Sequence, residues 1–274
     1  MLTKVEVDNK RGGLLVLPLQ NVRDGFVIKD IDGLDPVKAT IVTTGFAQLD
    51  GEQYQSSKLG TRNIVLKVGL EAALYAAGTV RDLRNRLYQY FMPKTFVRLQ
   101  FFDNESTMVE IEGYIESFDS KLFVKEPEAT ISIMCLKSEF IDPIVKTIEG
   151  STVTNTSTRD IEYEGTVPTG VSFTLEVDRA LTAFSIHNTP YSGVTTSMDF
   201  TGAFVSGDVI SVVTQPGAKS VELVRGGVRS PHLHALSAYS GWINLEPGLN
   251  QFRVTATGNP LAYQMSYTDK YGGL

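Results

Sequence analysis

From Thr79 to Phe91 the apolar residues Val80, Leu83, Leu87, Tyr90 and Phe91 recur at spacings of three and four, which predicts a helix with one apolar face. Thr79 stands where an N-cap would, Asp82 sits three residues on as the reciprocal capping acid, and Pro93 stops the helix. Arg81, Arg84 and Arg86 then fall on its outer face. Elsewhere in the first half the pattern is one of strands. Lys38 to Thr44 and Arg62 to Val68 are rich in β-branched residues and bounded by turn signals, and the Asp50-Gly51 pair between them predicts a long hairpin or loop. After the helix, 96–102, 108–115, 121–124 and 130–136 read as an antiparallel meander with turns at Asp103-Asn104 and Asp119-Ser120. Val109, Ile111 and then Tyr114 are expected on its shielded face, with Glu110 and Glu112 on the wet one and Gly113 marking a bulge where the register changes.

The second half continues with short alternating runs at 171–177, 209–213, 220–224, 241–245 and 251–256, the last two joined by a turn at Pro247 to Asn250. Such strands predict a β-sandwich, and no convincing helix follows residue 145. No repeat of fixed period points to a solenoid or propeller. Charge thins out midway: residues 1–150 hold 18 Lys and Arg with 21 Asp and Glu, whereas 151–274 hold 7 and 10. Ser and Thr rise from 17 to 29 across the same point. The polar stretch from Gly150 to Thr158 reads as a linker or edge strand, so two domains are expected, 1–148 and 149–274.

A net charge of -6 and a pI near 5.2 argue against a binder of phosphate backbones, which would need a basic face. No apolar run approaches the roughly 20 residues of a membrane span. The first residues carry acids early and lack the form of a signal peptide, so synthesis in a cytoplasm is expected. Cys135 is the only cysteine, which excludes an intrachain disulfide and a thiolate-rich metal site.

Candidate chemistry is sparse. His232 and His234 stand at i and i+2 and would share a face on a strand, but nothing nominates the third ligand that a metal site needs. Asp30-Ile-Asp32-Gly33 resembles the start of a calcium loop without glycine at its sixth position or the twelfth-position glutamate, and reads as a turn. Glu110 and Glu112 alternate on a strand as solvated acids do, which outweighs a glycosidase pair. Cys135 lies in an apolar strand, where a thiol is inert. No nucleophile, base and orienter come together, and no enzyme, cofactor or metal is expected. Trp242, the one tryptophan, is either a core anchor or, with Tyr239, a platform for a sugar ring; the core reading is favoured because large aromatics dominate packing.

The order of these features resembles the distal tail proteins of long-tailed bacteriophages. The resemblance is carried by Gly60-Thr-Arg-Asn-Ile-Val-Leu-Lys67, by Arg81-Asp-Leu-Arg-Asn-Arg-Leu87 ahead of Pro93, and by Ile111-Glu-Gly-Tyr-Ile-Glu116. It covers most of residues 1–145; a looser match extends over the second half to the aromatic and glycine-rich stretch from Tyr267 to Leu274. It implies a mainly β protein, with an N-terminal β-sandwich or split-barrel domain bearing one helix and a meander, then a galectin-like or carbohydrate-binding-module-like sandwich. It further implies a structural virion protein at the distal end of the tail, a hexameric ring joining the tail tube protein to the tail-tip hub protein, with tape-measure and receptor-binding proteins nearby. Subunit contacts are then expected along Lys58 to Lys67, including Arg62, and at Arg81, Arg84 and Arg86. The alternative is a carbohydrate-binding module contacting host-surface glycan through Tyr239 and Trp242.

Overall fold

Strand after strand, apolar residues at every second position meet the core of their own unit. The computed structural model describes residues 2–274 apart from 22, 48, 49, 75–77, 105, 122 and 151–153. It resolves the chain into two units, Met1–Pro143 with Tyr271–Leu274, and Ile144–Lys270.

Unit 1 contains β1 (Leu2–Asp8), β2 (Leu14–Pro18), β3 (Phe26–Asp32), β4 (Ala39–Gly45), β5 (Glu52–Leu59), β6 (Arg62–Leu70), α1 (Val80–Phe91), β7 (Phe96–Asp103), β8 (Ser106–Lys121), β9 (Glu128–Cys135) and β10 (Phe140–Ile141). Its main sheet runs β2-β1-β7-β8-β9-β6-β3. The two end strands approach one another, so the sheet curls towards a split barrel. Val5 and Val7, Ile64, Leu66 and Val68, Val97, Leu99 and Phe101, and Ile131 and Ile133 fill the inside. The helix adds Leu83, Leu87 and Phe91, its three buried residues. Full burial of each such side chain stabilises by about 1.5–3 kcal/mol. At its start the Thr79 hydroxyl accepts from the Asp82 amide, and the Asp82 carboxylate accepts from the Thr79 amide at 2.8 Å, so the capping box forms.

Three local expectations are corrected. Inside and outside alternate unbroken through Gly113, so Ile115 is buried while Tyr114 joins Glu110 and Glu112 on the outer side. Gly113 is there for contact: a Cβ would meet Cys135 Sγ, Ile133 Cγ2 and Met134 O, each at 2.9 Å. The register shift against β9 falls instead between Ile115 and Ser117. Finally, Asp119 and Ser120 lie within β8, which runs on to Lys121; there is no separate strand at 121–124, Leu122 lies outside the described residues, and Phe123 and Val124 are exposed.

Unit 2 is a sandwich. Its strands are β11 (Lys146–Gly150), β12 (Arg159–Tyr163), β13 (Thr169–Gly170), β14 (Ser172–Glu176), β15 (Leu181–Pro190), β16 (Thr196–Phe204), β17 (Val209–Val213), β18 (Ser220–Arg225), β19 (Val228–Pro231), β20 (Asn244–Leu245), β21 (Gly248–Ala256) and β22 (Ala262–Tyr267). The sheet β11-β22-β14-β17-β18-β19 packs on β12-β21-β15-β16, with β13 and β20 paired separately. Phe173 of β14 stacks across the core on Phe252 of β21, centroids 5.1 Å apart. The strand expected at 241–245 is only Asn244–Leu245, and Leu233–Ala235 forms a 3₁₀ turn. Residues 151–153 of the expected linker lie outside the described residues; beyond them, Asn155 donates to the carbonyls of Ala256 and Gly258 and accepts from the Ala256 amide, which pins this stretch onto unit 2. The boundary expected after residue 148 falls inside β11, whose residues pair with β22, so unit 2 begins earlier. Nor does unit 2 keep the last residues: β23 (Lys270–Tyr271) pairs with β10, and 271–274 belong to unit 1.

Candidate assembly surfaces

The hairpin of β4 and β5 pairs only with itself, and every residue of both strands is exposed. Its register sets Ala39 opposite Leu59, Ile41 opposite Ser57 and, past a bulge, Thr43 opposite Tyr54. Alternation then puts Ile41, Tyr54 and Leu59 on one face, where the Tyr54 hydroxyl lies 2.9 Å from Ser57 Oγ. The opposite face carries Thr40, Val42, Thr44, Gln53, Ser56 and Lys58. At the far end Gly51 takes φ +94, which only glycine adopts freely, and Thr43 hydrogen-bonds Glu52. An isolated two-stranded ribbon is marginal in water at best, and this one has an apolar face with no core of its own chain over it.

Arg62 leaves the set of expected interface residues. It is 2% exposed, and its Nε donates to Ser138 O at 2.7 Å, Nη1 to Gly33 O and Asp35 O at 2.5 and 2.7 Å, and Nη2 to Gly272 O at 2.5 Å. Phe140 lies under the guanidinium, its centroid 4.4 Å away. Burial lowers its pKa, and nearby Cys135, Glu139 and Asp35 oppose that shift. Such an arginine ties two loops, at Gly33 to Asp35 and at Ser138, and residue 272 to the start of β6. A Cβ on Gly33 would stand 2.0 Å from Asn63 O, so the loop that offers Gly33 O can pass only as glycine.

The other expected residues are spread over the surface of unit 1. Lys58 is exposed on β5, and Arg81 is exposed on the helix. Arg84 is half-buried beside the ring of Tyr88, and Arg86 lies near Phe26 and 3.8 Å from Asp24. Lys67 bonds Asp30 at 2.6 Å and reaches Asp32 at 3.5 Å. The two aspartates of the supposed calcium loop thus hold a protein cation; the Lys67 hydrogen bond draws the Asp30 pKa down and that of Lys67 up.

A groove of about 280 Å³ opens along β8, lined by Phe96, Tyr114, Leu136 and Ile141 with Glu110, Glu112 and Glu139 at its margin and Lys137 beside them. It exists because β8 meets β9 from Tyr114 onward and β10 only at Glu110, leaving Ile111 to Gly113 without a strand on that edge. Phe96 and Tyr114 meet edge to face at 5.1 Å. Glu110 is held by Arg98 at 3.5 Å and Gln100 at 3.3 Å, and Glu112 by Lys10 at 3.3 Å. Glu139 has no cation within 4 Å among the described residues. Glu110 and Glu112 are therefore ion-paired positions on an outer face.

In unit 2, His232 caps the 3₁₀ turn and His234 lies within it, so they do not share a strand face, and their ring centroids are 4.4 Å apart. Among the described residues no three His, Cys, Asp or Glu side chains converge to hold a metal. The Cys135 thiol, in unit 1, is buried and its pKa is pushed up to about 12, as expected of an inert core thiol. Trp242 packs partly buried against the core with Lys219 Nζ 5.2 Å over its ring, while Tyr239 is 99% exposed. The chain around Tyr239 runs beside β16: Ser237 N donates to Asp199 O, Ser240 Oγ accepts from the Asp199 amide, and Gly241 N donates to Ser197 O. Among the described residues no helix is long and apolar enough to cross a membrane.

Comparison with known proteins matches both units. Residues 20–121 match the phage tail protein RIFT-related domain, and residues 164–271 match the siphovirus-type tail component, C-terminal domain. The Dit protein (gp 19.1) of phage SPP1, described as a paradigm of the hub adsorption apparatus in Gram-positive infecting phages, superposes with a TM-score of 0.66 at 18% identity, over 98% of this chain and 99% of that one. A chain of the phage P2 baseplate in its activated, calcium-containing conformation covers 100% of both chains at 11% identity and a TM-score of 0.48. No curated protein matches the chain. With siphovirus tail-component domains matched in both units, the chain belongs to the siphophage distal tail proteins, and its place is the virion tail.

Proposed function

We propose that copies of this chain close into a ring that joins the tail tube to the tail tip, with unit 1 building the ring and unit 2 standing against neighbouring tip proteins. The observation that carries this is the hairpin Ala39–Leu59, whose face of Ile41, Tyr54 and Leu59 is exposed. Covering it stabilises an assembly by about 1 kcal/mol or more per side chain. A hairpin that projects from one place and is covered at another makes a heterologous contact, which closes into a ring when the rotation allows. Six copies are the number that the resemblance implies. The tube, the tip hub, the tape-measure protein and receptor-binding proteins are the neighbours it would meet.

Negative-stain microscopy with light scattering on the purified protein tests this. The expected result is closed rings with a central channel, and a smaller species for the double variant Ile41→Ser, Tyr54→Ser with unchanged circular dichroism. A protein that stays monomeric and also fails to join isolated tail proteins would overturn the ring. A second reading, contact with a neutral glycan by unit 2, is favoured by the bare ring of Tyr239 alone, since aromatic faces stack on sugars; Trp242 is already packed and covered by Lys219. Glycan-array binding that survives Trp242→Ala but not Tyr239→Ala is what it expects.

A further inference from the structure

We infer that the β8 groove of one copy receives Lys58, at the base of the hairpin, from a second copy; this rests on the ring reading. The groove has an apolar floor of Phe96, Tyr114, Leu136 and Ile141 and three glutamates at its margin, of which Glu110 is paired with Arg98 and Glu112 with Lys10, leaving Glu139. Its volume suits one or two large side chains rather than a whole strand. What fits such a site is a long basic side chain, with its stem on the apolar floor and its charge at the margin. Lys58 is the only basic side chain on the two strands of the hairpin, and it is exposed on the face opposite Ile41, Tyr54 and Leu59. Lys58 has no acid within 4 Å and Glu139 no cation within 4 Å among the described residues; Arg62, whose charge reaches Glu139, spends its donors on four carbonyls, so Lys58 would give Glu139 its ion pair.

The position of the groove fits a repeating assembly. Leu59 is separated from Arg62 by two residues, Arg62 pairs with Cys135, and the lining residues Leu136 and Lys137 come directly after Cys135. The groove therefore opens next to the base of the chain's own hairpin. A hairpin arriving from the next copy would lie alongside it, and the same step repeated covers every hairpin in turn. Glu139 would pair with Lys58, and the Lys58 stem would lie over the Phe96 and Tyr114 rings.

Cross-linking between separate preparations tests this, because it reads only contacts between copies. Lys58→Cys is made in one sample and Glu139→Cys in another; the two are mixed and oxidised. The buried Cys135 does not compete. A covalent dimer is expected from the mixture and from neither variant alone, with the disulfide located by mass spectrometry. In parallel, Lys58→Glu and Glu139→Lys should each raise the concentration needed for rings by about tenfold, and the two together should restore it. Rings without the mixed dimer and without rescue would overturn the groove assignment and leave the ring standing. An absence of rings, alone and with tail proteins, together with an absence of the mixed dimer, would overturn both.

Discussion

Replacing Arg62 by methionine keeps the length and apolar stem of the side chain and removes its five donors. Four carbonyl oxygens, on Ser138, Gly33, Asp35 and Gly272, lose a charged partner at 2.5–2.7 Å. A buried acceptor left without a donor costs about 1–3 kcal/mol, which would sum to several kcal/mol over four. Against that, the variant no longer buries a guanidinium, and water can reach some of the freed loops. With part of that sum offset in this way, the expected loss in unit 1 is about 3–5 kcal/mol. It corresponds to a fall of roughly 10 °C in its midpoint. Arg62→Lys should recover little, since one ammonium cannot span two loops and residue 272. The two units can be followed apart: Trp242, the only tryptophan, reports unit 2 by fluorescence, and hydrogen exchange of peptides from β6 and β10 reports unit 1. The reasoning is refuted if Arg62→Met leaves exchange in those peptides unchanged, or if Trp242 reports the same loss as unit 1.

Gly113→Ala should destabilise unit 1 by about 1–3 kcal/mol in urea denaturation, because its methyl would press on Cys135, Ile133 and the Met134 carbonyl. Thr79→Ala should cost about 1 kcal/mol by removing the helix cap, and Thr79→Ser should restore most of it. Arg225 bonds Asp208 at 2.6 Å and holds its carboxyl below the ordinary aspartate range. Stability from that carboxylate is therefore present above the unfolded pKa and lost as pH falls through the folded one. Asp208→Asn should lower the Trp242-monitored midpoint at pH 7, and the gap to the native protein should narrow below about pH 4; a gap that persists down to pH 2 contradicts the assignment. Cys135, with its pKa pushed up to about 12, should resist maleimide until the protein unfolds.

The helix could be read from the sequence because three independent signals, the period of its apolar residues, the capping pair and Pro93, agree over one short stretch. Arg62 could not be placed by composition, since arginine is so seldom buried. Its parity held the clue: Arg62 occupies the same side of β6 as Ile64, Leu66 and Val68, all buried, while Lys67 lies on the other. Parity also places Tyr114 outside with Glu110 and Glu112, and a bulge at Gly113 was needed only to argue it inward. The length of β8 was hidden because Asp119 and Ser120, turn formers by propensity, are held in the ladder by β9. The groove was not legible at all, since it arises from a gap in pairing between β8 and its neighbours β9 and β10, which no residue pattern marks.

Unit 2 lies in the chain between two parts of unit 1, and that nesting gives assembly a clock. During synthesis the first 143 residues leave the ribosome early, but Tyr271 of β23 and the Gly272 carbonyl that Arg62 grips arrive only after all of unit 2. Until then one arm of the guanidinium has no acceptor and β10 has no β23. Domains fold as units as they emerge, so a half-made chain carries a loosened unit 1 beside an apolar hairpin that could meet a neighbour too soon. Locking that unit with its latest residues ties competence to assemble to completion of both units, so that each copy ready to enter a tail already carries its unit 2.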